Sequence, residues 1–446
     1  MIVEDGVFEK VKKLALGSDK IPIELIREKK IVPGLRYEDG TGVVVGITSK
    51  GQVLGHELTP EGKLVAAPGK LLYCGYDIED IIKTIEKEDR FGFEETIYLL
   101  LTGELPTKSD LKRFTKTLEQ RRKLSPLMKK RLPYKSKNED IMGALHTVVS
   151  AMYIRDEKPN SIDIKDITRQ CIDLIAKFPT IVAYSHNVLK AKGTKVKFIT
   201  PKRKLSTAEN FLYLLTGKVP DREVAKIFDI ALILHAEHGG GNNSTFSTRC
   251  VSSSGANTYM SICAGIGSLS GRLHGGANEA VVAMMEDIKL NVKDWENEEE
   301  ISKYLHLLLD KKVGDKTGLI YGIGHAVYTI SDPRVKILKE KAEILSKKLG
   351  REKEFELYNK VATLAPKIVH ERKGKVVCIN VDFYSGFVYE MLEIPKELYT
   401  PIFAMSRVSG WSAHRIEEII QGRLIRPAYE ATYEGIKEYT PLKKRK

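Results

Sequence analysis

The sequence contains no CxxC pair. Its five cysteines (Cys74, Cys171, Cys250, Cys263 and Cys378) are scattered and odd in number. That argues against a disulfide framework and points to buried free thiols in a reducing compartment. No apolar run approaches the ~20 residues needed to span a bilayer. The opening stretch MIVEDGVFEKVKKLALGSDK carries Glu4 and Asp5 and has no continuous apolar core, so no secretory signal is expected. These absences together predict a soluble, cytoplasmic protein with no membrane contact. Disorder is also excluded, because 42% of the residues are hydrophobic and 29% charged, as in an ordinary folded chain.

At 446 residues the chain exceeds one compact core, so a large domain with a smaller one is expected. Lys and Arg outnumber Asp and Glu by 72 to 59, which favours anionic partners. Basic clusters occur at 121–131, 201–204 and 443–446. They have no interleaved aromatics and no nucleic-acid motif, so solvated helix faces and a tail explain them. Small anionic molecules remain as partners, and nucleic acid does not.

Residues 42–58 alternate weakly and turn at Ser49-Lys50-Gly51, which predicts a small hairpin. From Asp77 onward helical signals dominate. FEETIYLLLTGELP (93–106) reads as an amphipathic helix stopped by Gly103 and Pro106. FLYLLTGKVP repeats the pattern from residue 211, with Gly217 and Pro220 in the same roles. No third copy appears, so this is not a tandem-repeat protein. Residues 257–272 are rich in Gly, Ala and Ser, which suits close helix packing or a subunit interface. A long helix is expected over 399–422, and KVVCINVDF (375–383) reads as extended. The predicted fold is mainly α: a two-domain helical bundle with a small N-terminal β hairpin.

Four stretches carry chemistry. In HAEHGGGNNSTF, His235 and His238 lie three residues apart at the end of a helical run. One reading makes them metal ligands of a hydrolase, with His274 as a third. The other makes an anion pocket. The partly negative helix end holds His238 as a cation, and Gly239 to Gly241 let a ligand approach backbone N–H groups. Asn242, Asn243 and Ser244 add donors or cap the next helix. His235 then reads as a satisfied core residue or as a histidine supporting the site residues from behind. In GRLHGGANEA, His274 precedes a helix start, so it should stay neutral and donate a hydrogen bond. YGIGHAVYTISDPR supplies His325 and Arg334. NVDFYSG sets Asp382 between Val381 and Phe383, an apolar setting that raises its pKa and improves it as a base. Trp411 and His414 read as packing.

The order HAEH…N, LHGGANE, GxGHAVY…DPR, NVDFYSG, PIFAMSR…GW, RP resembles the citrate synthase family. YCGYDIEDI near residue 73 and YLLLTGELP extend the resemblance over roughly residues 70 to 435. The resemblance implies condensation of acetyl-CoA with oxaloacetate, or of propionyl-CoA in the related 2-methylcitrate synthases. It makes His274, His325 and Asp382 catalytic: donor to the thioester oxygen, polariser of the ketone, and base. It gives His238, Asn242, Arg334, Phe403, Arg407 and Arg426 to oxaloacetate, with Arg426 coming from the partner of a homodimer with shared active sites. Leu319, Ile320, Tyr321, Gly322, Ile323 and Gly324 would carry the adenine portion of CoA. No metal and no cofactor beyond the substrates is implied.

The implied division is 1–60 as an N-terminal segment with the hairpin, 61–279 and 384–446 as a large helical domain, and 280–383 as a small one. Gly275-Gly276 and Ser385-Gly386 would be hinges for closure. The chain departs from the family at Gly239, where many members carry Glu. It departs again at Thr329, where a basic residue often meets a CoA phosphate. Lys316, Lys336, Arg372 and Lys373 are candidate substitutes.

Overall fold

The computed structural model describes residues 2–18, 23–37, 41–134, 140–191, 196–432 and 435–445. Residues 1, 19 and 20 of the opening stretch and Lys446 of the last basic cluster lie outside them. The chain forms two compact units, Met1–Val45 with Ile425–Lys446 and Gly46–Leu424. The terminal unit carries α1 (Ile2–Ser18) and α2 (Ile23–Glu28). Lys29 reaches Glu430 at 3.4 Å. On α1, Val7, Phe8, Val11 and Leu14 are all exposed.

The central unit opens with β1 (Gly51–Leu58), β2 (Leu64–Tyr73) and the short β3 (Tyr76–Asp77). β1 and β2 pair antiparallel from Gly51 with Tyr73 to Leu58 with Leu64. The hairpin therefore lies further along than 42–58. Its turn is at Thr59–Lys63, where Thr59 N–H bonds the Lys63 carbonyl and Gly62 has φ 78°. Ser49 makes no hairpin turn; its N–H and hydroxyl both bond Glu417, at 2.8 and 2.9 Å.

Helices α3 (Ile78–Lys87), α4 (Phe93–Thr102), α5 (Lys108–Arg121), α6 (Pro126–Lys129) and α7 (Ile141–Met152) follow. Then come α8 (Ile164–Lys190), α9 (Thr207–Thr216), α10 (Arg222–His235), α11 (Asn243–Ser253) and α12 (Thr258–Leu269). The two similar sequence stretches are α4 and α9, each closed by a left-handed glycine, Gly103 and Gly217. Both are capped from afar. Asp229 accepts the Gly92 and Phe93 N–H groups at 2.7 and 3.2 Å, and Glu94 accepts Thr207 N–H at 2.6 Å. These bonds satisfy helix-start donors that burial would otherwise leave unpaired.

A second set, α13 (Ala277–Asn291), α14 (Glu298–Leu309), α15 (Pro333–Leu349), α16 (Glu352–Lys373) and α17 (Asp382–Met391), packs largely on itself. The chain then returns as α18 (Tyr399–Gln421), buried over nearly its whole length against α4, α8, α10, α11 and α12. Small residues make this possible: a side chain at Gly265 of α12 would lie 3.0 Å from the Trp411 ring. The stretch 375–383 is not a strand. It makes one bridge, Ile379 with Ile323, before α17 begins at Asp382. Ser385 and Gly386 are helical, and a side chain at Gly386 would meet Asn278 and Val282, so this glycine allows close packing of α17 on α13. Among the described residues no helix is long and apolar enough to cross a membrane.

Candidate active site

The last turn of α10 ends at His235, and the chain leaves the helix to carry His238 into contact with the 322–331 loop. The His238 ring lies 5.0 Å from His325 and 5.7 Å from Tyr328. His238 Nε2 is buried without a hydrogen-bond partner. Burial, reinforced by the charges of Arg334, His325 and Arg407, pushes its pKa well below the usual imidazole range. This corrects the helix-end expectation of a cation. The helix stops three residues earlier, and desolvation outweighs what remains of its field.

His325 stacks on Tyr328 at 4.5 Å. Its Nδ1 accepts the N–H groups of Val327 and Tyr328, each at 3.0 Å. A ring nitrogen that accepts carries no proton, so the neutral ring bears its proton on Nε2.

Two arginines are buried nearby. Arg334, in the first turn of α15, forms a two-pronged pair with Asp332 at 2.9 and 2.7 Å. Asp332 also caps that helix through Arg334 N–H. Arg407 on α18 is fully buried. Its Nε–H donates to the His235 carbonyl at 2.7 Å, and the guanidinium lies 4.6 Å from the Phe403 ring centre. Both terminal nitrogens lack a partner. Burial draws its pKa down to about 10, which still leaves it cationic at neutral pH. His235 is buried in the core, but its ring is not satisfied as one reading expected. It is buried against Phe403 with neither ring nitrogen hydrogen-bonded.

His274 lies 6.5 Å from Phe403 and 3.0 Å, through Nε2, from Ser244 Oγ. Burial first, then the Arg407 charge, brings its pKa to about 4, so it is neutral, as the sequence predicted. The main cause, however, is desolvation. Ser244 Oγ is also 2.9 Å from Asn242 Oδ1 and receives Trp411 Nε1–H at 3.2 Å. Asn242 stands at the start of α11 but makes no side-chain cap. Trp411 is thus more than packing.

Asp382 is the first residue of α17, and its N–H bonds Asn380 Oδ1 at 3.1 Å. Burial raises its pKa to about 6, against the opposing charges of Arg334 and Arg407. The 319–324 segment runs beside it: Gly324 N–H bonds the Cys378 carbonyl at 2.7 Å and Asn380 N–H the Gly322 carbonyl at 2.9 Å. Leu319 is exposed, Ile323 is half-buried and Ile320 is buried. Tyr321 bonds Asp315 through its hydroxyl.

Arg426 is exposed and belongs to the terminal unit. Of the candidate phosphate contacts, Lys336 pairs with Glu79 and Arg372 with Asp310. Among the described residues no group of three His, Cys, Asp or Glu side chains has metal-holding geometry, so His235, His238 and His274 do not form a ligand set. Sequence reasoning missed Asp332 and Tyr328, and it named Ser244 as a donor without its contact to His274. Only Asp332 had a local signal, an Asp before Pro333 at a helix start.

A carboxyl poised near neutrality, uncharged imidazoles and a buried arginine with unpaired nitrogens define an all-α acid–base enzyme for a carboxylate-bearing substrate. The family profile described as citrate synthase, C-terminal domain, matches residues 40–428. A citrate synthase from Haloferax volcanii is 37% identical over 384 residues, covering 84% of this chain and 93% of its own. A 2-methylcitrate synthase from Shewanella oneidensis is 34% identical over 369 residues, covering 82% and 89%. The crystal structure of citrate synthase from Pyrobaculum aerophilum matches with a TM-score of 0.74 at 30% identity, covering 91% of this chain and 95% of that one. The chain belongs to the citrate synthase family.

Proposed function

We propose that the protein condenses acetyl-CoA with oxaloacetate and water to give citrate and CoA. Asp382 removes a proton from the acetyl methyl group while His274 donates to the thioester oxygen. The thioester α-proton is far less acidic than a carboxylic acid, so a free enolate is out of reach. One donor aimed at the developing oxyanion is worth ~3–4 kcal/mol.

The new carbon nucleophile attacks the ketone of oxaloacetate. His325 Nε2–H stabilises the alkoxide, and Arg334, Arg407 and His238 hold the carboxylates. Water then cleaves citryl-CoA to citrate and the free thiol. The pairing of an Asp382 carboxyl raised to about 6 with a His274 held neutral carries this reading. Proton abstraction next to a thioester needs that combination.

The family's 2-methylcitrate synthases favour a second reading with propionyl-CoA, since one methylene changes affinity by only ~1–3 kcal/mol. A thiol-release assay with each acyl-CoA, with and without oxaloacetate and EDTA, tests both. Oxaloacetate-dependent, EDTA-insensitive turnover is expected. Chelator-sensitive hydrolysis without oxaloacetate would overturn the proposal.

The small lobe of residues 280–383, with α17 packed on it, closes over substrate held by the large lobe. Crystals with and without oxaloacetate should differ by a rotation of this lobe. Identical lobe angles in the two would count against closure. The protein works as a homodimer in which Arg426 of the partner subunit completes each site. The exposed apolar face of α1 supports a second copy as its cover. Five unpaired thiols support a cytoplasmic location.

A further inference from the structure

His238 is the one residue between two pinned peptide groups. On its N-terminal side, Tyr73 Oη lies 3.1 Å from the Glu237 carbonyl, 2.9 Å from the Ile233 carbonyl, and accepts Glu237 N–H at 3.3 Å. On its C-terminal side, Gly239 N–H bonds Glu237 Oε1 at 2.6 Å. The Glu237 side chain therefore bridges over His238. It is itself fully buried, and His414 Nε2 lies 3.0 Å from the same Oε1.

The protonation of that contact follows from the far side of the ring. Arg249 Nη1, which can only donate, is 2.8 Å from His414 Nδ1. Nδ1 accepts, so a neutral His414 carries its proton on Nε2 and donates it to Glu237. Arg249 is fixed in turn by Glu417 at 2.6 Å and Glu418 at 2.8 Å. The slot that admits the carboxylate is lined by glycines. A side chain at Gly51 would lie 2.6 Å from Glu237 Oε1, and one at Gly410 would also strike the carboxylate.

We infer that Glu237, oriented by His414, is the positioning residue that fixes the backbone of His238, with Tyr73 holding the opposite flank, and so sets the affinity for oxaloacetate. This rests on the reading of His238 as an oxaloacetate ligand. Glu237 never touches substrate; it acts through the 237–239 peptides. Because Oε2 has no partner, glutamine can keep both bonds to Oε1.

The test is isothermal titration with oxaloacetate, followed by steady-state kinetics against each substrate. Glu237→Ala is expected to weaken oxaloacetate binding at least tenfold while the acetyl-CoA KM moves less than threefold. Glu237→Gln should recover most of that loss. Tyr73→Phe, which keeps the packing, should weaken oxaloacetate about threefold or more. A folded Glu237→Ala that binds oxaloacetate within twofold of the parent overturns the inference, as does a Gln variant as weak as the Ala one. Should Glu237→Ala not fold, an unchanged oxaloacetate affinity in Tyr73→Phe overturns it. A parent that does not bind oxaloacetate, or binding unaffected by His238→Ala, sinks the functional reading itself.

Discussion

Arg407 donates its Nε–H to the carbonyl of His235 across 2.7 Å, and its two terminal nitrogens have no protein partner although the side chain is fully buried. A buried guanidinium is costly unless its donors are met, so a site of this kind is built for an anion. One N–H anchors the group, and the planar fork aims the other two nitrogens. Lysine cannot do both. Arg407→Lys should raise the oxaloacetate Kd by at least about tenfold, equivalent to ~1.4 kcal/mol or more. A calorimetric titration showing unchanged affinity would remove Arg407 from the binding set.

Asp382→Asn should separate activity from stability. Removing a general base lowers kcat by about 10²–10⁴-fold. The carboxyl pKa is raised to about 6 by burial. The folded chain therefore holds this proton more tightly than the unfolded chain. Stability falls as pH rises between about 4 and 6, and the loss persists above 6. Replacing the charge with a neutral amide should stabilise the protein at pH 7.5 by on the order of 1–3 kcal/mol. Thermal melts at pH 7.5 check this; a lower Tm together with near-normal turnover would refute the assignment.

The pH–rate profile carries the same information. With the base form of Asp382 present only above about pH 6 in the free enzyme, log kcat/KM should fall with unit slope below that value and level off above it. His274, near 4, stays uncharged through the measured range and adds no limb between pH 5 and 8. A profile flat down to pH 5 would exclude Asp382 as the titrating base.

The β hairpin meets the loop that carries His325. Tyr328 Oη bonds the Lys70 carbonyl at 3.2 Å, and Gly69 N–H bonds Ser331 Oγ at 3.1 Å. A side chain at Gly69 would collide with the Ser331 carbonyl and come within 2.6 Å of the Tyr328 ring. Gly69→Ala should therefore push the loop away, raising the oxaloacetate KM several-fold with little change in helical content. A variant with unaltered KM would show that the loop tolerates displacement.

Much of the fold was readable because its signals are local. Gly103 and Gly217 end α4 and α9, and α18 fills the span expected for it. The hairpin was misplaced because Ser49-Lys50-Gly51 has the composition of a turn, yet Ser49 is tied to Glu417 on α18. The 375–383 run makes one bridge and no strand; a short apolar stretch looks alike in a strand and in a buried connection. His414 and Trp411 passed as packing because their partners are remote in sequence. Glu237 is 177 residues from His414, and Ser244 is 167 residues from Trp411.

The sequence by itself determined the residue types, their order and the helix ends, since caps, glycines and periodicity act within a few residues. Tertiary structure decided the charge of His238, which local sequence misjudged. His238 stands near a helix end that favours a cation, yet burial among Arg334, His325 and Arg407 makes it neutral. Solvation and Coulomb energies depend on distances between chain-remote groups, and folding sets those distances.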